Sequence, residues 1–351
     1  MAPFRRGLPR GILFAALVLV SVPAPVSSAA AQAPADWALT LSGARFPGDE
    51  TSPEALASAL AAADAHYGLP PAPGGAAFER LGPEGLECAV HLRFPAGESR
   101  GTLVFVHGYQ EHGLSAPAII RAALDSGWTY AGLDLPGHGA SPGERGWVDD
   151  FSAYGAAVGA LLDGGPIRSD RPVLVVGFST GAAAIAEFLS TLPPGAPART
   201  ERFLFLSPLV RIVAWWPSRL GLFLAEWAMP RLPGRTVGMT HDKAWKRIAA
   251  RDPLRVGDPP SAWMHKLVRW EASLADRVPR PEAPRVVWGG ADTVVNAAYG
   301  RRSLSRLFPA STHVEIRGAY HGLPFEGGAY LEAVLRILRE ELASGETRPG
   351  G

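Results

Sequence analysis

"RPVLVVGFSTGAAAIAEFL", Arg171 to Leu189, is the stretch that decides the fold. A run of apolar strand-formers ends at Gly177, a serine sits between two glycines, and an alanine-rich helical pattern begins at once. A short continuous apolar run reads as a strand buried on both faces. Gly177 to Gly181 then fits G-x-S-x-G on a strand-to-helix bend. The bend forces Ser179 into strained dihedrals, and any side chain at the glycines would collide with the neighbouring strand and helix. It lifts the Ser179 hydroxyl clear of the backbone. It also aims the Thr180 amide and the start of the helix at the same spot, where negative charge can be stabilised. Ser179 is the expected nucleophile.

Outward from this bend the chain alternates. "LECAVHLRF", "TLVFVHG", "WTYAGLDL", "ERFLFLSPLV", "PRVVWGGAD" and "THVEIRG" read as strands. "APAIIRAALDSG", "DDFSAYGAAVGALLDGG" and "NAAYGRRSLSRLF" read as helices. A last helix carries Leu331, Val334, Leu335, Leu338 and Leu342 on one face. The fold class is α/β, a mostly parallel central sheet flanked by helices. The region from about Leu209 to Val278 breaks the rhythm and reads as a helical cap over the carboxyl ends of the strands. Ahead of the core, "SPEALASALAAADAHYGLP" is a helix with Ser52 as N-cap and Pro53 at its first position. The expected organisation is a signal peptide over 1–31, a helical extension and linker over 32–85 and a first core part over 86–208. The cap follows over 209–278, the second core part over 279–343 and a frayed tail over 344–351.

A serine hydroxyl needs a base, and the base an orienting acid. His321 lies in a loop just beyond the last strand, and Asp292 just past the strand before it. The order Ser179, Asp292, His321 along the chain is the one expected when the serine sits on such an elbow. The second oxyanion donor should come from the loop after "TLVFVHG", which makes the Tyr109 amide the partner of that of Thr180. His107 and His112 shape that turn and are expected to be structural. Taken alone, Asp292 also reads as a helix N-cap.

Composition narrows the partners. Thirty-four Lys and Arg nearly balance 33 Asp and Glu among 351 residues, so nothing suggests nucleic acid. Cys88 is the only cysteine, which excludes an internal disulfide and any multi-cysteine metal site. No H-E-x-x-H, P-loop or carboxylate-rich metal loop occurs, and "GHGASPG" has the wrong spacing for a dinucleotide fingerprint. No metal or cofactor is expected. "MAPFRRGLPR" is basic, "GILFAALVLVSV" is a short apolar run, and small residues follow around a cut after Ala31 or Ala33. Export to the periplasm or the medium is expected.

"VFVHGYQEHG", "GLDLPGHGASPGERGWVDDF", "VVGFSTGAAA", "GGADTVV" and "GAYHGLPFE", with "ARDPL" in the cap, together resemble the α/β-hydrolase superfamily. More closely they resemble its monoacylglycerol lipase and lysophospholipase branch, often labelled serine aminopeptidase-like. The resemblance implies an α/β-hydrolase fold with a helical cap. It implies a Ser-His-Asp triad, and a loop beside the site held by Asp134, Gly137, Gly139, Ser141 and Glu144. The chain departs from the branch in having Phe178 and Thr180 around the nucleophile, where these lipases often have His and Met. It departs again in the helical segment between leader and core.

The cap holds twelve Lys or Arg against six Asp or Glu, and its stretch "LVRIVAWWPSRLGLFLAEW" is aromatic and aliphatic. An aminopeptidase needs carboxylates for a substrate ammonium, whereas this cap suits an ester with an acyl tail. Trp215 and Trp216 are the expected substrate contacts, with peripheral membrane contact as a further expectation. The expected function is hydrolysis of monoacylglycerol- or lysophospholipid-type esters through an acyl-enzyme. The alternatives are an aminopeptidase or amidase on the same triad, and a non-catalytic exported binding protein on a hydrolase scaffold.

Overall fold

The computed structural model describes residues 36–43, 52–82, 87–167, 170–196, 199–215, 230–232 and 238–344. The leader read at 1–31, Trp216, cap residues 216–229 and 233–237, and the tail after Ser344 lie outside the described residues.

Among the described residues, eight strands form one sheet. They are β1 (Ala76–Leu81), β2 (Cys88–Arg93), β3 (Thr102–Val106), β4 (Thr129–Leu133), β5 (Val173–Phe178), β6 (Arg202–Leu206), β7 (Arg285–Gly289) and β8 (Thr312–Ile316). Their order across the sheet is β1-β2-β4-β3-β5-β6-β7-β8. β2 runs antiparallel to both β1 and β4, and every other pairing is parallel. Parallel neighbours require crossovers, and helices supply them. The helices are α1 (Asp36–Gly43), α2 (Pro53–His66), α3 (Pro117–Asp125), α4 (Ser152–Gly164), α5 (Thr180–Thr191), α6 (Lys243–Ala249), α7 (Trp263–Ser273), α8 (Ala297–Leu307) and α9 (Gly328–Ser344).

The continuous apolar runs are explained by burial on two sides. In β3, Val104 and Val106 pack towards Ala157, Val158 and Ile185 of α4 and α5, while Leu103 and Phe105 join Ile119 of α3 and Leu338 of α9. A strand alternates its faces every residue, so both sets must be apolar when both faces are covered. Each such side chain contributes roughly 1.5–3 kcal/mol on burial.

The segment 76–81 was expected to belong to the linker and is instead β1, paired with β2 from Ala76↔Arg93 to Leu81↔Cys88. This edge strand is nowhere fully buried, so "AAFERL" carries no apolar run to announce it. The sheet therefore begins before residue 86. In α2 the Ser52 hydroxyl accepts from the Ala55 amide at 3.2 Å, the expected cap. Two residues before its end, Asp64 takes two hydrogen bonds from the buried Arg93 guanidinium of β2, which ties the extension to the sheet.

The cap residues meet the carboxyl ends of the strands. Val256 donates to Gln110 O after β3 at 3.0 Å, and Val213 donates to Val294 O after β7 at 2.9 Å. The Gly322 amide after β8 donates to Met239 O at 2.6 Å.

Candidate active site

β5 ends at Phe178 and α5 begins at Thr180, so Ser179 alone makes the bend, at φ +50° and ψ −111°. Its amide donates to Leu206 O of the neighbouring strand, and its carbonyl accepts from the amides of Ala183 and Leu209. These bonds hold the left-handed backbone, which serine rarely adopts unaided. A Cβ on Gly177 would lie 2.6 Å from the Ala182 Cα, which is why a glycine precedes so tight a turn.

Three elements bring the side chains together. His321 Nε2 lies 3.0 Å from Ser179 Oγ, and His321 Nδ1 lies 2.7 Å from Asp292 Oδ2. Asp292 is fixed by its other oxygen, which accepts from the amides of Val294 at 2.7 Å and Val295 at 3.0 Å. It does not cap α8; Asn296 does, accepting from Tyr299. With the carboxylate at Nδ1, that nitrogen carries the proton and Nε2 is left to accept from the serine. Phe178 packs its ring against the imidazole with centroids 5.2 Å apart.

The loop after β3 lies against the serine. A Cβ on Gly108 would come within 3.3 Å of the Ser179 Cβ, so the residue that precedes Tyr109 lies against the bend. Among the described residues, neither the Tyr109 nor the Thr180 amide donates to a protein acceptor. Tyr109 is anchored elsewhere: its hydroxyl donates to Gly146 O at 2.7 Å and its ring stacks on Trp263 of α7 at 3.9 Å. The Thr180 hydroxyl is buried without a partner.

Trp215 is 4% exposed and packs in the core, with Arg211 over its ring. Its ring is therefore packed inward rather than exposed. Trp216 lies outside the described residues. Among the described residues, no group of three or more His, Cys, Asp or Glu side chains could hold a metal ion.

The loop from Asp134 is held much as the resemblance implies. The Asp134 carboxylate accepts from the Gly113 and Ala140 amides and contacts His91 Nε2 at 2.9 Å. The Ser141 hydroxyl donates to Asp134 O, and the Glu144 carboxylate pairs with Arg231. His107 is a strut here: its Nδ1 faces Gly108 O, and its Nε2 accepts from the Leu135 amide.

Glu326 had no assigned part. It is fully buried and accepts from the Tyr320 amide at 2.7 Å, beside His321, and from the His241 amide and Thr240 hydroxyl of the cap. His241 stacks on Tyr320 at 3.9 Å. Its cap partners, Thr240 and His241, lie some eighty-five positions away, so spacing carries no hint of the role.

Burial pushes the His107 imidazole down to about 4 and that of His138 to about 3. Both stay neutral in the fold, whereas an unfolded chain protonates them near about 6.5. The unfolded state then binds more protons, so stability falls as pH drops from about 6.5 towards 4. Asp134 adds to this lower down: burial pushes its carboxyl up, but His91 outweighs that and holds it below its usual range. His112 has the opposite sign. Burial lowers it, but Asp252 outweighs this and raises it, so its contribution is complete below about 6.5 and is lost as pH rises through the raised value. Urea unfolding should show a loss of about 3 kcal/mol between pH 7 and pH 5. An unchanged midpoint over that window would contradict the neutral buried histidines.

The chain matches the family described as serine aminopeptidase, S33, over residues 97–328. It is 24% identical over 256 residues to a monoacylglycerol lipase of Mycolicibacterium smegmatis, covering 68% of this chain and 86% of that one. Its fold is similar to a soluble variant of monoglyceride lipase from Saccharomyces cerevisiae solved with a substrate analog. That likeness has a TM-score of 0.63 at 17% identity and covers 77% of this chain and 96% of the other. It is also similar to a monoacylglycerol lipase of Paleococcus ferrophilus, with a TM-score of 0.59 at 20% identity, covering 73% of this chain and 99% of the other.

Proposed function

The chain belongs to the serine aminopeptidase S33 family of α/β-hydrolases, and from that premise we propose that it hydrolyses carboxylic esters bearing an acyl chain, of the monoacylglycerol or lysophospholipid type. The observation that carries the reading is the unbroken relay from Asp292 through His321 to Ser179, with contacts of 2.7 and 3.0 Å.

His321 takes the Ser179 proton as the hydroxyl attacks the ester carbonyl, and Asp292 steadies the imidazolium. The tetrahedral oxyanion is held by the amides of Tyr109 and Thr180, at the amino end of α5. His321 Nε2 then protonates the departing alcohol, leaving the acyl group on Ser179. Water, deprotonated by the same nitrogen, attacks the acyl-enzyme and releases the acid.

The cap favours an ester over a peptide with a free amino end. An ammonium needs an available carboxylate, and the two cap carboxylates held inward among the described residues are already matched. Asp252 faces His112 and Tyr67, and Glu271 faces Arg211 and Tyr299. The relatives of similar fold include lipases, which supports the same direction.

Parallel assays on monoacylglycerols, lysophospholipids and aminoacyl anilides test the reading, with fluorophosphonate labelling of Ser179 alongside. The expected result is labelling, with kcat/KM for acyl esters above that for aminoacyl anilides by about 10² or more. Preference for the anilides would establish the peptidase instead, and an unreactive Ser179 would leave a non-catalytic binding protein.

A further inference from the structure

We propose that the packed pair α1 and α2, which precedes the family-matched segment, is a positioning device for the reaction, and that Tyr67 closes a buried bridge holding the Tyr109 loop in register with the cap. The proposal rests on the role given above to the Tyr109 amide.

Tyr67 is the residue at which α2 ends, and it is 3% exposed. Its hydroxyl donates to Asp252 Oδ1 at 2.9 Å and lies 3.1 Å from His112 Nε2. His112 Nε2 in turn lies 2.8 Å from Asp252 Oδ2, and its Nδ1 accepts from the Leu114 amide at 3.2 Å. One group from the extension, one from the loop after β3 and one from the cap thus meet with their side chains buried.

The bridge is continuous with the bonds that place Tyr109. Gln110, held at φ +71°, exchanges hydrogen bonds with the cap: its side chain donates to Val256 O and Gly257 O, and its carbonyl accepts from the Val256 amide. Glu111 pairs with Arg255 at 2.9 Å, both side chains nearly enclosed. Residues 109–112 and 252–257 therefore move as one unit or not at all.

A buried carboxylate is tolerated only where donors surround it. Asp252 has three: His112 Nε2–H, the Tyr67 hydroxyl and the Leu254 amide. Tyr67, at the end of α2, supplies one of them. That helix is itself fixed to the sheet by Asp64 and Arg93, one turn before Tyr67, and Trp37 of α1 packs edge-on to Tyr67 with centroids 6.1 Å apart. Without the phenol, Asp252 draws towards solvent or pulls His112 with it, and the loop carrying Tyr109 follows.

Tyr67→Phe removes the hydroxyl and keeps the ring, so the packing with Trp37 and His112 is retained. The readouts are kcat at saturating acyl ester, KM, and affinity for two probes, all taken well below the melting temperature. One probe is an alkyl trifluoromethyl ketone, whose adduct with Ser179 carries an oxyanion. The other is an unreactive alkyl amide of the same length.

The expected result is a kcat about tenfold lower, an equal loss of affinity for the ketone, and an unchanged KM and amide affinity. Asp252→Asn should produce a similar loss, and the double variant should be no worse than either, because both act through one bridge. Unchanged kcat and ketone affinity in Tyr67→Phe, with only a lower melting temperature, would reduce Tyr67 to an anchor for α2 and overturn the proposal. That outcome leaves the functional reading standing, since Ser179→Ala tests it separately. A wild-type protein inert towards every acyl ester would overturn both.

Discussion

Ser179→Ala loses on the order of 10⁴–10⁶ in turnover of acyl esters while the circular dichroism spectrum and thermal midpoint stay close to those of the parent. Alanine keeps the β-carbon, so the strain at φ +50° is the same in both proteins and only Oγ disappears. What remains is the binding and oxyanion stabilisation that two amides can offer to a water attack. His321→Ala should cost a comparable factor, and the pair together little more, because the residues act as one unit.

Asp292→Asn is the sharper companion. Oδ1 is held by two backbone amides, so the new amide nitrogen takes the Oδ2 position facing His321 Nδ1. A donor there forces the proton to Nε2, which can no longer accept from serine, and turnover should fall by about 10³–10⁴. Activity within a hundredfold of the parent in Ser179→Ala would end the assignment of the nucleophile.

The second large effect is on stability. In Gly181→Ala the new Cβ would sit 2.0 Å from Val106 O and 2.6 Å from His107 O, both main-chain atoms of β3 and the loop that follows it. No rotamer change relieves such a clash. Either α5 lifts from the sheet or β3 shifts, and each loosens the contact between the bend and the Tyr109 loop. A loss of roughly 3 kcal/mol or more is expected, with a fall in midpoint near 10 °C. Gly164→Ala, at the end of α4 with no atom within 4 Å of the added carbon, is the control and should be neutral or slightly stabilising. Equal midpoints for the two variants would refute the close-approach explanation of this glycine.

Much of this was legible in the primary structure because it is local. The run at 173–178, the bend and the helix after it are encoded within nineteen residues, and burial on both faces of a parallel strand writes itself as unbroken apolar sequence. Asp292 and His321 were legible for a related reason, since each directly follows a strand. The edge strand β1 was not, because with no buried face it has no hydrophobic pattern to display. Glu326 and Asp252 were not, because a buried carboxylate declares its role only through its donors, and those donors are amides and side chains from distant segments.

The chain's own order of residues thus determined the buried strands of the sheet, the elbow and which three side chains could meet. Only the tertiary structure decided that the N-terminal helices reach the loop beside the serine, that Trp215 turns inward, and that Glu326 steadies the strand-end loop of His321. The physical reason is the same in each case: periodicity reports which face of an element is dry, whereas a hydrogen bond across the core depends on where two unrelated segments are brought by everything packed between them.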